Sequence, residues 1–272
     1  MRPGNNMSMM KTLAASLALG CCAFAGAAMA GPAGEITLLT GRGTSTSVDG
    51  AIRTLAKGDP VYSGEVISSS VNSYLNIKFA DGGFVLLRPN SRFEIENFAY
   101  VSPEETAKKP VQTPAPIINP AGPAASSRPM APPAPAAAQA NTASAFFRLL
   151  KGGFRAVSGL VGHVDRNEYR VSTPVATIGI RGTDYELILC DAPCAADPVI
   201  AGSLPLGAIA EGGAVVGVIT GGVLVTNAAG KAAELGENQY LVNLPDGTQI
   251  RLPFEPRFLR VDPIPNPAKV CE

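Results

Sequence analysis

The sequence predicts an all-β protein built from short antiparallel strands. Three observations lead there. Apolar and polar residues alternate with period two in several short segments, which sends side chains to opposite faces of a strand. Asp-Gly, Gly-Asp and Gly-Gly pairs separate those segments at hairpin-like intervals. The 272 residues include 29 glycines, 24 prolines and no tryptophan, with 6% aromatics. That composition suits strands and turns better than a helical bundle.

Residues 1–30 read as an export signal. Arg2 and Lys11 supply a positive start, Leu13 to Ala28 is apolar, and Ala28-Met29-Ala30 is a small-x-small cleavage pattern before Gly31. A retained membrane anchor, or lipidation at Cys21 within Ala18-Leu19-Gly20-Cys21, are the alternatives.

Residues 31–101 form the first β half. In "LAKGDPVYSGEVISS", turn signals at Gly58-Asp59-Pro60 and Ser63-Gly64 bracket apolar residues. In "YLNIKFADGGFVLLRP", Leu75, Ile77 and Phe79 alternate with Asn76 and Lys78, predicting one buried and one wet face. Asp81-Gly82-Gly83 then turns the chain into Phe84–Leu87. "SRFEIENF" places Phe93 and Ile95 inward, with Arg92, Glu94 and Glu96 outward.

Residues 102–143 break the pattern, since 22 of these 42 are proline or alanine. Frequent prolines remove backbone donors, and few large apolar residues are present to offset ordering. The expectation is a disordered, polyproline-II-prone insert acting as a spacer, with a recognition tract for a partner domain as the alternative.

Residues 144–262 form the second β half. A strand at Phe146–Leu150, a turn at Gly152-Gly153 and a second strand are followed by "NEYRVSTP" and by "TPVATIGIRGTDYELILC". The latter reads as a strand, a glycine-bracketed bend at Arg181 and a further strand. In it Tyr185, Leu187 and Leu189 alternate with Glu186 and Ile188. Residues 199–226 are apolar, but Pro205, Glu211 and seven glycines argue against a spanning helix. Val215–Thr220, Gly221-Gly222 and Val223–Thr226 predict a hairpin instead. "NAAGK" turns the chain again, and "NQYLVNLPDGTQIRLPF" predicts strand–turn–strand about Asp246-Gly247. Residues 263–272, with Pro263, Pro265 and Pro267, read as a tail.

Charge and chemistry narrow the functional classes. Beyond residue 30 the chain carries 20 basic and 22 acidic residues, a net charge of −2, so nucleic-acid binding lacks an electrostatic basis. Cys190 and Cys194 in "CDAPC" are candidates for a small disulfide loop, with free thiols or a metal pair as alternatives; Cys271 has no evident mate. His163 is the single histidine, set in a Gly-rich turn at no ligand-like spacing. No nucleophile elbow accompanies it. Asp81, Asp165, Asp184 and Asp246 stand in turn contexts, where Asp caps its own backbone. Gly179-Ile180-Arg181-Gly182-Thr183-Asp184 lacks the Gly-Lys-Ser/Thr ending of a phosphate loop and precedes a strand, not a helix. Arg181 and Asp184 are therefore either a structural pair at a bend or a contact for a partner or ligand.

"GEVISSSVNSYLNIKFADGGFVLLRPNSRFEI" (64–95) resembles the pattern of FecR domains. "LLKGGFRAVSGLVG", "YRVSTPVATIGIRGTDYELILC" and "GVLVTNAAGK…ENQYLV" are similar to the later strands of exported proteins of that family. The resemblance covers most of 34–245, and "TPVATIGIRGT" is its most specific part. It implies a periplasmic, non-enzymatic β domain, which in the founding sensors links an outer-membrane receptor to an inner-membrane anti-sigma signal. This sequence departs from that pattern by showing no cytoplasmic helical domain and no later transmembrane helix, and by carrying the Pro/Ala insert.

The expected architecture is one FecR-like unit split by the insert, as a β-sandwich or a short rolled, solenoid-like stack. The expected role is protein binding, sensing or scaffolding in the periplasm, by analogy against an outer-membrane receptor or channel, through exposed strand edges. No cofactor or metal is expected. An envelope or cell-wall structural factor and a hydrolase using His163 are the alternative functions.

Overall fold

The computed structural model describes residues 31–101, 143–164 and 167–261. The export signal with Cys21, the insert at 102–142, Asp165, Cys271 and the tail lie outside the described residues.

The chain is an all-β roll, as its alternation predicts. The first half contributes β1 (Gly34–Thr40), β2 (Gly43–Thr46), β3 (Ile52–Thr54), β4 (Pro60–Val61) and β5 (Val66–Ser69). It continues with β6 (Tyr74–Phe79), β7 (Phe84–Leu87) and β8 (Arg92–Ala99). The second half opens with β9 (Ser144–Lys151), β10 (Gly153–Val157), the short helix α1 (Leu160–Val164) and β11 (Tyr169–Ser172). Then come β12 (Ala176–Leu189), α2 (Ala192–Ala195), α3 (Pro198–Ser203) and β13 (Ala214–Asn227). The described chain closes with β14 (Ala232–Leu235), β15 (Tyr240–Asn243), β16 (Gln249–Leu252) and α4 (Arg257–Val261).

The strands join in the order β3-β2-β5-β8-β9-β11-β12-β10-β7-β6-β1-β4, and β13, β14, β15 and β16 branch from β12. This single sheet curls into a half-barrel. Ring contacts show where its two wings meet. Phe79 of β6 lies 5.1 Å from Phe98 of β8 and 5.0 Å from Phe147 of β9, although many strands separate them along the sheet. Phe93 and Phe154 likewise touch across the roll at 5.4 Å. The inward residues Leu75, Ile77, Phe93 and Ile95 are fully buried in this core, as predicted. Burying each such side chain contributes about 1.5–3 kcal/mol, enough for a chain without tryptophan to hold one core.

Three predicted features come out differently. Asn76, assigned to the wet face, is buried and donates to Thr37 Oγ1 on the neighbouring strand β1 at 2.8 Å. The predicted strand–turn–strand at Gly152-Gly153 is present, with Gly152 at φ 73°, and the turn is a corner between wings: β9 pairs with β8 and β11, while β10 pairs with β7 and β12. Val215–Thr226 is no hairpin, since β13 runs unbroken through Gly221-Gly222 and pairs along β12. Glu186, expected opposite the buried face, is itself buried, because the sheet is covered on its outer side as well. The predicted hairpins at Asp81-Gly82-Gly83 and Asp246-Gly247 are present, with Gly82 at φ 84° and Gly247 at φ 86°.

A second, smaller core covers that outer side. Cys190, Cys194, Ile200, Val215, Val242 and Leu252 pack together there. Val215 alternates with Val216 of the main core, and Val242 with Leu241, so the two cores lie on opposite faces of the same strands. Cys190 and Cys194 form a disulfide with Cα atoms 5.2 Å apart, which closes the turn into α2.

Candidate functional site: the double bend of β12 and β13

The segment 176–189 was singled out by its Gly-Ile-Arg-Gly core, and its geometry follows from how β12 and β13 pair. Arg181 faces Gly222, Asp184 faces Thr220, and Tyr185 faces Val218. One extra residue is accommodated on β12 between Arg181 and Asp184, and one on β13 between Thr220 and Val218. The two bulges cancel, so the register beyond the bend is the one before it. Each bulge also switches which alternate residues face the core. On β12 the inward set passes from Ala176, Ile178 and Ile180 to Tyr185 and Leu187. On β13 it passes from Ala214, Val216 and Val218 to Val223 and Val225.

Glycines permit the bend. Gly182 has φ 59° and Gly221 φ 86°, in the left-handed region that side chains with a Cβ disfavour. A Cβ on Gly221 would stand 2.5 Å from the Gly182 carbonyl oxygen. Thr183 stitches the bend: its Oγ1 donates to the Gly222 carbonyl at 2.8 Å, and its N–H donates to Ser158 Oγ at 2.8 Å.

Arg181 and Asp184 do not pair with each other. Asp184 turns onto the outer face of the sheet, 8% exposed, and meets Arg155 of β10. Arg155 Nε donates to Oδ1 at 3.0 Å and Nη2 to Oδ2 at 2.8 Å, a bidentate pair. Burial opposes the Arg155 charge, but the Asp184 contact outweighs it and raises the guanidinium above its ordinary range. The expected structural clamp thus exists with Arg155 in place of Arg181. Arg155 was legible only as the outward residue between Phe154 and Ala156; nothing local names its partner.

Arg181 is exposed, and among the described residues it forms no ion pair. It rims a shallow, open concavity with His163, Gly182, Gly221, Leu235 and Arg251. His163 sits at the end of α1, not in a turn, with its ring against Gly182. Arg251 is held in place: Nη1 donates to Gln239 Oε1 at 2.8 Å and Nη2 to the Glu234 carbonyl at 2.6 Å. Glu234 also lines the concavity, and Glu237 accepts from the Gly221 N–H at 3.4 Å. Gly182, Gly221, Gly222 and Gly236 leave main-chain atoms accessible there, beside the guanidinium groups of Arg181 and Arg251 and the carboxyl of Glu234.

The other aspartates serve the frame. Asp81 is buried, accepting from Gly83 N–H at 3.0 Å and from Val161 N–H at 3.2 Å, and so ties the β6–β7 turn to α1. Burial raises its carboxyl above the usual range despite those two donors. Asp246 accepts from Thr248 N–H at 2.8 Å, a local cap as expected. Among the described residues no group of three or more His, Cys, Asp or Glu gathers as a metal site, and no helix is long and apolar enough to cross a membrane.

No protein-family model matches the chain, and no curated protein matches it. Among solved structures, two crystal structures of "a putative anti-sigma factor from Parabacteroides distasonis ATCC 8503" align with it at 12% identity and a TM-score of 0.41. The alignment covers 72% of this chain and 62% of theirs, so the chain spans under two thirds of their length. A "cell surface anchoring domain" aligns at 33% identity over 23% of this chain and 83% of that one, with a TM-score of 0.23. Scores this low carry no functional argument.

Proposed function

We propose that this chain is a non-enzymatic, FecR-like binding and sensing module of the periplasm, which contacts an envelope protein through the double bend of β12 and β13. The observation that carries the reading is the division of labour at the bend. Asp184 is consumed by Arg155, while Arg181 is exposed on a glycine-rich surface beside Arg251, whose guanidinium is held by Gln239 and the Glu234 carbonyl. Such a shallow, open surface with two guanidinium groups fits an acidic segment of a protein better than it fits a small molecule, for which enclosed pockets are usual. The FecR resemblance of "TPVATIGIRGT", the export-type N-terminus and a Cys190–Cys194 disulfide all support an oxidising, extracytoplasmic setting.

The test is site-specific photocrosslinking in cells. A crosslinker at position 181 is expected to trap one envelope protein, while one at the exposed Lys57 traps none, and Arg251→Glu is expected to abolish the adduct. Identical products from positions 181 and 57, or none from either, would sink the reading. Capture of peptidoglycan alone would favour a wall-structural role.

A further inference from the structure

The outer face of the sheet is open to solvent across β8, β9, β11 and the first half of β12. Phe93, Phe147, Leu149, Tyr169, Val171 and Ile180 point into the core, so the residues that alternate with them point outward. Of these, Arg92, Arg148, Arg170, Thr177 and Arg181 are exposed.

The registers set the arginines on one diagonal. Gly179 of β12 faces Arg170 of β11, so Arg181 stands two residues further along its own strand. Arg170 in turn lies beside Phe146 of β9, two residues from Arg148. Arg148 faces Glu94 of β8, two residues from Arg92. At every step the line crosses one strand and moves two residues along, always in the same sense. With strands about 4.8 Å apart and a rise of about 3.3 Å per residue, a step is about 8 Å and the stripe about 24 Å long.

Neighbouring groups show which of these charges are already engaged. Arg148 forms an ion pair with Glu96 and stands opposite Glu94. The Arg170 guanidinium lies over the Phe146 ring, 4.2 Å from its centroid, which orients it without neutralising it. Arg92 faces Lys151 across the ladder, a like charge that opposes it. Among the described residues, Arg92, Arg170 and Arg181 form no ion pair. Three guanidinium groups without a carboxylate partner therefore stand in line, and Arg181, the last of them, also rims the concavity at the bend.

We propose that this stripe is the track of an extended acidic segment of a protein partner, with carboxylates at alternate positions, running from Arg181 over Arg170 to Arg92. The proposal rests on the reading of Arg181 as a contact surface and adds the course, length and side-chain pattern of the occupant. Alternate side chains of an extended segment share one face and recur every 6.6 Å or about that, close to the step of the stripe, and about eight residues span it. Glu94 and, by the same register, Glu168 border the stripe along one side. They repel an occupant charged at every unit, such as an anionic polysaccharide, more than one whose charges are spaced.

The test uses the full chain and two fluorescein-labelled peptides of about eight residues and one composition. In one, Glu and Thr alternate; in the other, every Glu precedes every Thr. Fluorescence anisotropy at low ionic strength is expected to show the alternating peptide binding about threefold more tightly. Arg92→Gln, Arg170→Gln and Arg181→Gln are each expected to weaken it about two- to fivefold, and Lys57→Gln to leave it unchanged. An effect of Arg181→Gln alone keeps the Arg181 surface and overturns the stripe. Peptides that do not bind, or that ignore Arg181→Gln, overturn both. Equal binding of the two peptides overturns the alternating pattern and the stripe with it. Heparin bound more tightly than the peptide and weakened by the same three variants assigns the stripe to a polysaccharide, and self-association lost in those variants assigns it to a second copy; either result overturns the proposal.

Discussion

Arg181 and Asp184 stand three positions apart and point to different sides of the sheet, which gives their substitutions opposite consequences. Asp184 and Arg155 are 9% and 15% exposed at the side chain. Removing one partner of a buried pair strands the other charge, so Asp184→Ala is expected to cost about 3 kcal/mol in urea denaturation. Arg181→Ala, on the exposed rim, is expected to change stability by less than about 0.5 kcal/mol. Equal effects would show that the two residues share a structural role. Glu186 makes a pH prediction. Its carboxyl titrates near 7 in the fold against 4.5 for the ordinary side chain. Between those values the folded chain holds a proton that the unfolded chain has released, so stability falls as pH rises through the window and levels off above it. The loss amounts to about 3 kcal/mol, and Glu186→Gln is expected to remove it, making the variant the more stable protein above pH 7 but not at pH 4. Unfolding curves at both ends of the window check the sign.

At the scale of the element, the bend is what turns two long strands into a curved wall. Gly221 needs both its positive φ and the space its missing Cβ leaves, since a Cβ would meet backbone that cannot move aside. Gly221→Ala is therefore expected to cost more than about 2 kcal/mol, and Gly230→Ala only about 1 kcal/mol, because Gly230 shares the positive φ but faces open space. Thermal unfolding of the two variants side by side makes the comparison. Gly221-Gly222 imitates a hairpin turn in the sequence because consecutive glycines serve turns and bulges alike. The inward valines pass from even-numbered 216 and 218 to odd-numbered 223 and 225, a switch that a bulge and a two-residue hairpin both produce, so the sequence pattern leaves the two open. The apolar run 198–204 gave less, and α3 within it is set by Asp197, whose two oxygens cap one helix close in sequence and one far away.

Across the whole molecule, the two halves of the sequence interleave in space. Strand β10 of the second half lies between β7 and β12, and β9 lies between β8 and β11. The segment 31–101 and the segment 143–272, expressed separately, are expected to be unfolded alone and to form the roll only when mixed, as read by circular dichroism. A folded first half by itself would break the single-unit reading. Ala99 of β8 faces Ser144 of β9, so the insert leaves and re-enters the sheet at one pair of neighbouring residues. Replacing 102–142 with a short Gly-Ser turn is accordingly expected to leave the core intact and to gain at most about 1–2 kcal/mol from the shorter loop, measured as an unfolding midpoint that does not fall.

Strand identity, most turns, the inward faces of β6 and β8 and the Cys190–Cys194 pairing were all readable along the chain. Each depends on a residue and its close neighbours: alternation marks a face, Asp-Gly marks a turn, and four-residue spacing lets two cysteines meet. Which partner Asp184 takes and why Glu186 and Asn76 are buried were decided only when distant strands came together. Those outcomes depend on a sheet curling until both its faces are covered, and a period of two cannot say what will cover the second face.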